Sequence, residues 1–174
     1  QIKTSWVDVY SEHLEGIPWL NALGNHDWYG SVNAQLEIHQ EHELWNLPSR
    51  YYDYVVKDKG ISVHIVVLDT TPCLPLYSDT SLSVYGNVVQ FLKEKGLSHE
   101  DYLKEQVGFV RDKFGASNTT WKVVIGHHGV YTSSEHYRDD AVTLRTGLAP
   151  VLEELNIDAY FNGHDHILER HQPI

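Results

Sequence analysis

The 174-residue sequence predicts one mixed α/β domain, with sheets lying between helices. Two observations predict it. Apolar runs of strand length alternate with segments whose apolar residues recur at helical spacing. Three of those runs also end in a glycine followed within two residues by a histidine: Gly24/His26, Gly126/His127 and Gly163/His164.

Taken in order, Trp6, Val9, Tyr10 and His13 recur at helical spacing from the first turn. The chain opens Gln1-Ile2-Lys3 without an initiator Met, and is therefore expected to begin partway through a folded unit. Residues 17–23 form a short apolar run, read as a strand, that ends at Gly24-Asn25-His26-Asp27. Residues 32–45 are expected to be helical. Residues 51–56 and 61–68 read as two strands joined by a hairpin-like turn, Lys57-Asp58-Lys59-Gly60. The stretch 71–83 is turn-rich, with Pro72, Pro75, Ser78 and Asp79. Leu103, Val107, Val110 and Phe114 predict an amphipathic helix, which Gly115-Ala116-Ser117-Asn118 ends. Residues 121–125 read as a strand ending at Gly126-His127-His128. Residues 142–155 are helical in pattern, with Pro150 placed to break or kink them. The last strand, 157–161, ends at Asn162-Gly163-His164-Asp165-His166.

Composition narrows the function. With 41% hydrophobic and 11% aromatic residues, long disordered stretches are not expected. Lys and Arg number 13 against 24 Asp and Glu, a formal net charge of -11. Such a chain repels polyanions, which argues against nucleic acid or an anionic membrane as partner. It does not exclude small anionic substrates, because a bound metal reverses the local field. No run is long and apolar enough for a membrane span. Cys73 is the single cysteine, so no disulfide can form within the chain. Asn118-Thr119-Thr120 is a glycosylation sequon in a polar loop.

The three glycine–histidine segments carry the chemistry. In α/β folds, loops at the carboxyl ends of strands converge on the active site, and a glycine there lets the backbone approach a ligand closely. Neutral imidazole suits zinc and iron, and an Asn carbonyl oxygen is a harder donor. His164 and His166 lie two residues apart. In an extended segment both rings would point to one side. From there each could reach a different ion of a pair held about 3.5–4 Å apart. Taken singly, Gly-Asn-His-Asp or Gly-His-His reads as a turn with an exposed histidine. Gly-His-Asp-His is more specific, and all three in order, each after a strand, are not explained as turns. The remaining candidates read as structural. His128 is expected to point away from His127, into packing. His39 and His42 are expected on a solvated helix face, His64 within a strand, and Asp69 as a turn-capping carboxylate.

These segments resemble the later motifs of the calcineurin-like metallophosphoesterases. Val32-Asn33-Ala34-Gln35, Trp45-Asn46-Leu47-Pro48-Ser49 with Tyr51-Tyr52, Leu68-Asp69-Thr70 and Ser133-Ser134-Glu135-His136 are similar to the purple (tartrate-resistant) acid phosphatase branch. The similarity runs from about Trp6 to His171. It implies an α/β/β/α sandwich with helices flanking two packed sheets, incomplete here at its N-terminus. It further implies hydrolysis of phosphate monoesters by a metal-activated hydroxide at a binuclear centre, Fe(III) with Fe(II) or Zn(II). By the resemblance, Asn25, His127 and His164 bind the divalent ion and His166 the ferric ion. His26 and His136 contact the phosphate and assist the leaving group, and a secreted or lysosomal/vacuolar route would bring glycan to Asn118.

The sequence departs from that family in three places. An early Asp segment and a later segment with a bridging Asp and a Tyr are not found among the 24 residues before Asn25. Asp8-Val9-Tyr10 sits in a helical stretch and is not recruited. Cys73 stands where the family has a disulfide cysteine, while the partner position, near Asp140-Ala141, has none. Two functions remain open at this point. One is a phosphatase completed by an N-terminal segment of the same precursor, or by a partner chain that covers an exposed sheet edge. The other is a catalytically inactive phosphatase-like module, serving as a structural or binding part of a larger extracellular assembly.

Overall fold

A computed structural model describes residues 6, 8–10, 16–42 and 44–172; His13 and Glu43 lie outside them. Among the described residues, six helices and six strands follow one another along the chain. They are α1 (Asp8–Tyr10), β1 (Trp19–Leu20), α2 (Val32–Glu41), β2 (Trp45–Asn46), β3 (Tyr52–Asp58) and β4 (Ile61–Val67), followed by α3 (Gly86–Lys95), α4 (His99–Gly115), β5 (Trp121–Ile125), α5 (Arg138–Gly147), α6 (Ala149–Glu154) and β6 (Ala159–Phe161). Short 3-10 turns at Asp27–Tyr29, Thr71–Cys73, Pro75–Ser78 and Ser83–Tyr85 join them. No helix among the described residues is long and apolar enough to cross a membrane.

The strands form two sheets, β1-β2 and β3-β4-β5-β6. β3 and β4 are antiparallel, paired from Tyr52↔Val67 to Asp58↔Ile61. Their turn places Lys59 and Gly60 at φ 46° and 84°, the two positive values of the hairpin turn that matches strand twist. β4, β5 and β6 run parallel. Burial grows toward the carboxyl ends of this sheet: Ile61 is exposed, whereas Val66, Val67 and Leu68 are buried. Both sheets and the helices α3 to α6 contribute to one apolar cluster, which includes Leu23, Trp45, Val66, Val88, Val110, Val124 and Leu144.

Several elements differ from expectation. The strand expected over 17–23 is reduced to Trp19–Leu20, paired in parallel with Trp45–Asn46. Pro18 has no N–H for a ladder, and Leu23 is buried in the core without joining one. The helix expected to reach residue 45 stops at Glu41, because Trp45 leaves it to pair with Trp19 and to pack its ring 5.0 Å from Trp6. The α3 helix was not legible as an element. Its signal was nonetheless present: Val88 and Leu92 are buried at i, i+4, and Gly96 closes it at φ 67°. The α4 helix buries Tyr102, Gln106, Val110 and Phe114, so its buried stripe lies one residue off the Leu103–Val107 line, which is partly buried. Ser98 and Asp101 form a capping box at its start. The expected helix over 142–155 begins earlier and is two helices, broken at Leu148, with Pro150 in the first turn of the second.

Candidate metal centre

The parallel register of β4, β5 and β6 brings their carboxyl ends to one edge. Backbone bonds continue the ladder beyond the strands: Gly126 N–H donates to Phe161 O (3.1 Å) and Gly163 N–H to His127 O (3.1 Å). His127 and His164 are thereby fixed side by side. Asn25 arrives from the other sheet, on the loop after β1. That loop is clamped by Asp27, whose carboxylate accepts from Gly24 N–H (2.7 Å) and Gln35 Nε2 (2.5 Å). Two glycines are required for space. A Cβ on Gly24 would lie 2.7 Å from the His127 ring, and one on Gly126 would lie 2.3 Å from the Tyr160 hydroxyl.

Three donor atoms meet here. His127 Nε2 lies 3.0 Å from Asn25 Oδ1 and 3.2 Å from His164 Nδ1. Ligands held about 2.1 Å from one ion sit about 3.0 Å apart at a right angle and about 3.4 Å apart at the tetrahedral angle. The spacing and the donor types therefore fit one divalent ion. Burial, and after it the neighbouring His164, His26 and His166, push the His127 pKa down to about 4 against the pull of Asp27. Its imidazole is neutral at ordinary pH, as a ligand must be.

His166 is placed differently. It is exposed, with φ 56°, and His164 has φ 71°. The segment is thus a turn through the left-handed region, and the two-residue alternation of an extended strand does not operate. Asp165 between them is buried, with Oδ2 unpartnered among the described residues. His26 is exposed and tilts over Tyr29, ring centroids 4.7 Å apart. His136 is exposed and stacks edge-on against Tyr137, and Tyr137 lies 4.4 Å from His164. Asn118 is exposed in the loop between α4 and β5.

Other candidates find structural partners. One ring nitrogen from each of His127, His128 and His164 lies within 4.8 Å of the other two. Both ring nitrogens of His128, however, are occupied, Nδ1 by Thr70 Oγ1 (2.7 Å) and Nε2 by Tyr77 OH (3.1 Å), in a fully buried position. Tyr160 OH donates to the His128 carbonyl (2.7 Å). His128 therefore supports the cluster from beneath. His64 bridges Ser117 Oγ and Asp53 Oδ2, each at 3.0 Å. His39 is half-buried against Trp45 O (2.9 Å) rather than on a solvated face. Asp69 caps no turn. It is fully buried, accepts from Trp28 Nε1 (3.1 Å) and Tyr102 OH (3.4 Å), and has its pKa raised to about 7 by burial. Asp8 is exposed in α1. Sequence reasoning missed Tyr77, Tyr137 and Asp140 as support for the site, none of which carries a periodic signal, and gave Thr70 no role although it stands in the Leu68-Asp69-Thr70 segment.

The calcineurin-like phosphoesterase family profile matches residues 1–168. Human tartrate-resistant acid phosphatase type 5 is 28% identical over 174 aligned positions, covering 97% of this chain and 50% of the relative. Purple acid phosphatase 7 of Arabidopsis thaliana is 31% identical over 172 positions, covering 96% and 48%. This chain thus spans about half the length of the curated relatives it matches. Among solved structures, one described as "GAP50 the anchor in the inner membrane complex of Plasmodium" superposes with a TM-score of 0.65 at 22% identity. That match covers 94% of this chain and 49% of the other, and shows the shared fold.

Proposed function

Given that the chain belongs to the calcineurin-like phosphoesterase family, we propose that the complete protein hydrolyses phosphate monoesters, and that residues 1–174 are part of a single catalytic domain. One observation carries this reading: Asn25 Oδ1, His127 Nε2 and His164 Nδ1 converge at about the spacing of donors on one ion. In it, Asn25, His127 and His164 hold a divalent ion, Fe(II) or Zn(II). When bound, a metal of this kind lowers the pKa of water to supply hydroxide and neutralises charge on the phosphate. In the same reading His26 and His136, both exposed, orient the phosphate and give a proton to the departing alkoxide oxygen. Asp27 keeps Asn25 and His26 in place by tying Gly24 and Gln35 together.

His166 is the candidate donor for a second, ferric ion. One neutral imidazole does not hold Fe(III), which prefers anionic oxygen donors. We propose that the remaining ligands of that ion come from outside these 174 residues, in the same precursor or a partner chain lying along the sheet edge. Secretion or delivery to a lysosome or vacuole, with glycan on exposed Asn118, belongs to the same proposal.

The incomplete donor set at His166 also favours a second reading, a phosphatase-like module without turnover that serves an assembly. Single substitutions in the complete protein separate the roles. His164→Ala should lower metal content and activity together. His26→Ala should keep its metal and turn over about 10²–10⁴-fold more slowly. Loss of metal in His26→Ala would refute the role assignment, and absence of metal-dependent turnover in the wild-type protein would favour the second reading.

A further inference from the structure

His164 turns Nδ1 toward His127, so Nε2 points away from the donor cluster. That Nε2 is enclosed and has no hydrogen-bond partner among the described residues. The carboxylate of Asp140 lies against it, Oδ2 at 3.5 Å, with the two side chains 6% and 10% exposed. Asp140 faces inward because it shares the buried face of α5 with Ala141 and Leu144, while Asp139 beside it is exposed. A carboxylate on the core face of a helix is costly unless it meets a donor.

Proton accounting supplies that donor. A neutral imidazole has one N–H, and the other nitrogen carries the lone pair. When the Nδ1 lone pair faces the donor cluster at His127, the proton of His164 resides on Nε2, on the Asp140 side. Two rings limit the movement of His164: Tyr137 at 4.4 Å and His128 at 4.3 Å between centroids. Packing thus holds the ring in place, but does not choose between its nitrogens. The acid does that.

We propose that Asp140 is a positioning residue for His164. It accepts the Nε2 proton, fixes the tautomer that presents Nδ1 as a donor, and strengthens that donor. A shift of about 0.4 Å brings the pair to hydrogen-bond length. Carboxylate–histidine–metal relays of this kind set metal affinity in many sites. The inference rests on the reading of His164 as a ligand, and its test separates the two.

Co(II) is titrated into the metal-stripped complete protein, following affinity and the visible d–d spectrum. Asp140→Asn should bind about 10–100-fold more weakly, with an altered spectrum and an unchanged melting temperature before metal addition. Asp140→Glu should recover most of that loss, and Asp139→Asn should match wild type. Wild-type affinity in Asp140→Asn, with binding lost in His164→Ala, overturns the Asp140 role alone. Wild-type affinity in His164→Ala overturns the ligand reading, and this inference with it. Should Asp140→Asn not fold, ¹⁵N imidazole spectra of the Zn(II)-loaded wild-type protein decide: the His164 proton is expected on Nε2, and its presence on Nδ1 refutes the proposal.

Discussion

Replacing Gly24 by Ala tests the centre by steric displacement alone, with every donor left in place. The added Cβ would lie 2.7 Å from His127 Cε1, 2.8 Å from Nδ1 and 3.0 Å from Nε2, whereas ordinary contact begins at 3.4 Å. The ring must therefore retreat by at least 0.7 Å, the difference between 3.4 and 2.7 Å. Metal sites tolerate about 0.2 Å in donor distance. His127 Nε2 is the atom that both Asn25 and His164 approach, so its displacement should uncouple one donor of three. Zn(II) affinity of the complete protein, read by calorimetry, should fall about 10–100-fold, as for the loss of a supporting contact or more. Overpacking should also destabilise the fold by about 1–3 kcal/mol. Gly108→Ala is the control. A Cβ there meets nothing within 4 Å, and it lies inside α4, so it should stabilise by up to about 1 kcal/mol and leave Zn(II) binding unchanged. Wild-type Zn(II) affinity in Gly24→Ala would show that the ring has room to move without loss, and that the close packing of Gly24 on His127 does not set the donor geometry.

Two further outcomes follow from the same coordinates. Burial raises the Asp69 pKa to about 7, above the unfolded value near about 3.9. The folded state therefore binds the extra proton between these values, and stability should fall as pH rises from about 4 to about 7, then level off, by a total on the order of a few kcal/mol. Denaturant titrations across that range should show the slope in wild type and a flatter profile in Asp69→Asn, which can still accept from Trp28; equal slopes would refute the assignment. For Asn118, exposed in its loop, glycopeptide mapping of native material should find the site occupied, and a wholly unmodified Asn118 would count against a secretory route.

What was legible in the sequence is what short-range pattern encodes. The strands β3, β4 and β5 follow from β-rich apolar runs bounded by turn residues, and the hairpin from the turn residues Lys57-Asp58-Lys59-Gly60 between the first two. The three glycine–histidine segments were legible because strand ends and donor residues are both local features, and parallel strands place their ends at one edge. The family followed from the same segments, and its profile spans residues 1–168.

What only the tertiary structure decided depends on contacts between distant residues. The helix expected to reach residue 45 ended early because Trp45 pairs with Trp19, a contact that no local propensity contains. His164 and His166 are held in left-handed turns, so the strand-like alternation assumed for them does not apply. Asp69 became a buried hub because Trp28 and Tyr102, on separate elements, both donate to it. Asp140 faces His164 across a gap of twenty-four residues in sequence only because it lies on the buried face of α5. The residue types in the site were set by the sequence; the assignment of each nitrogen and carboxylate to a partner needed three dimensions, because hydrogen-bond accounting is a property of neighbours in space.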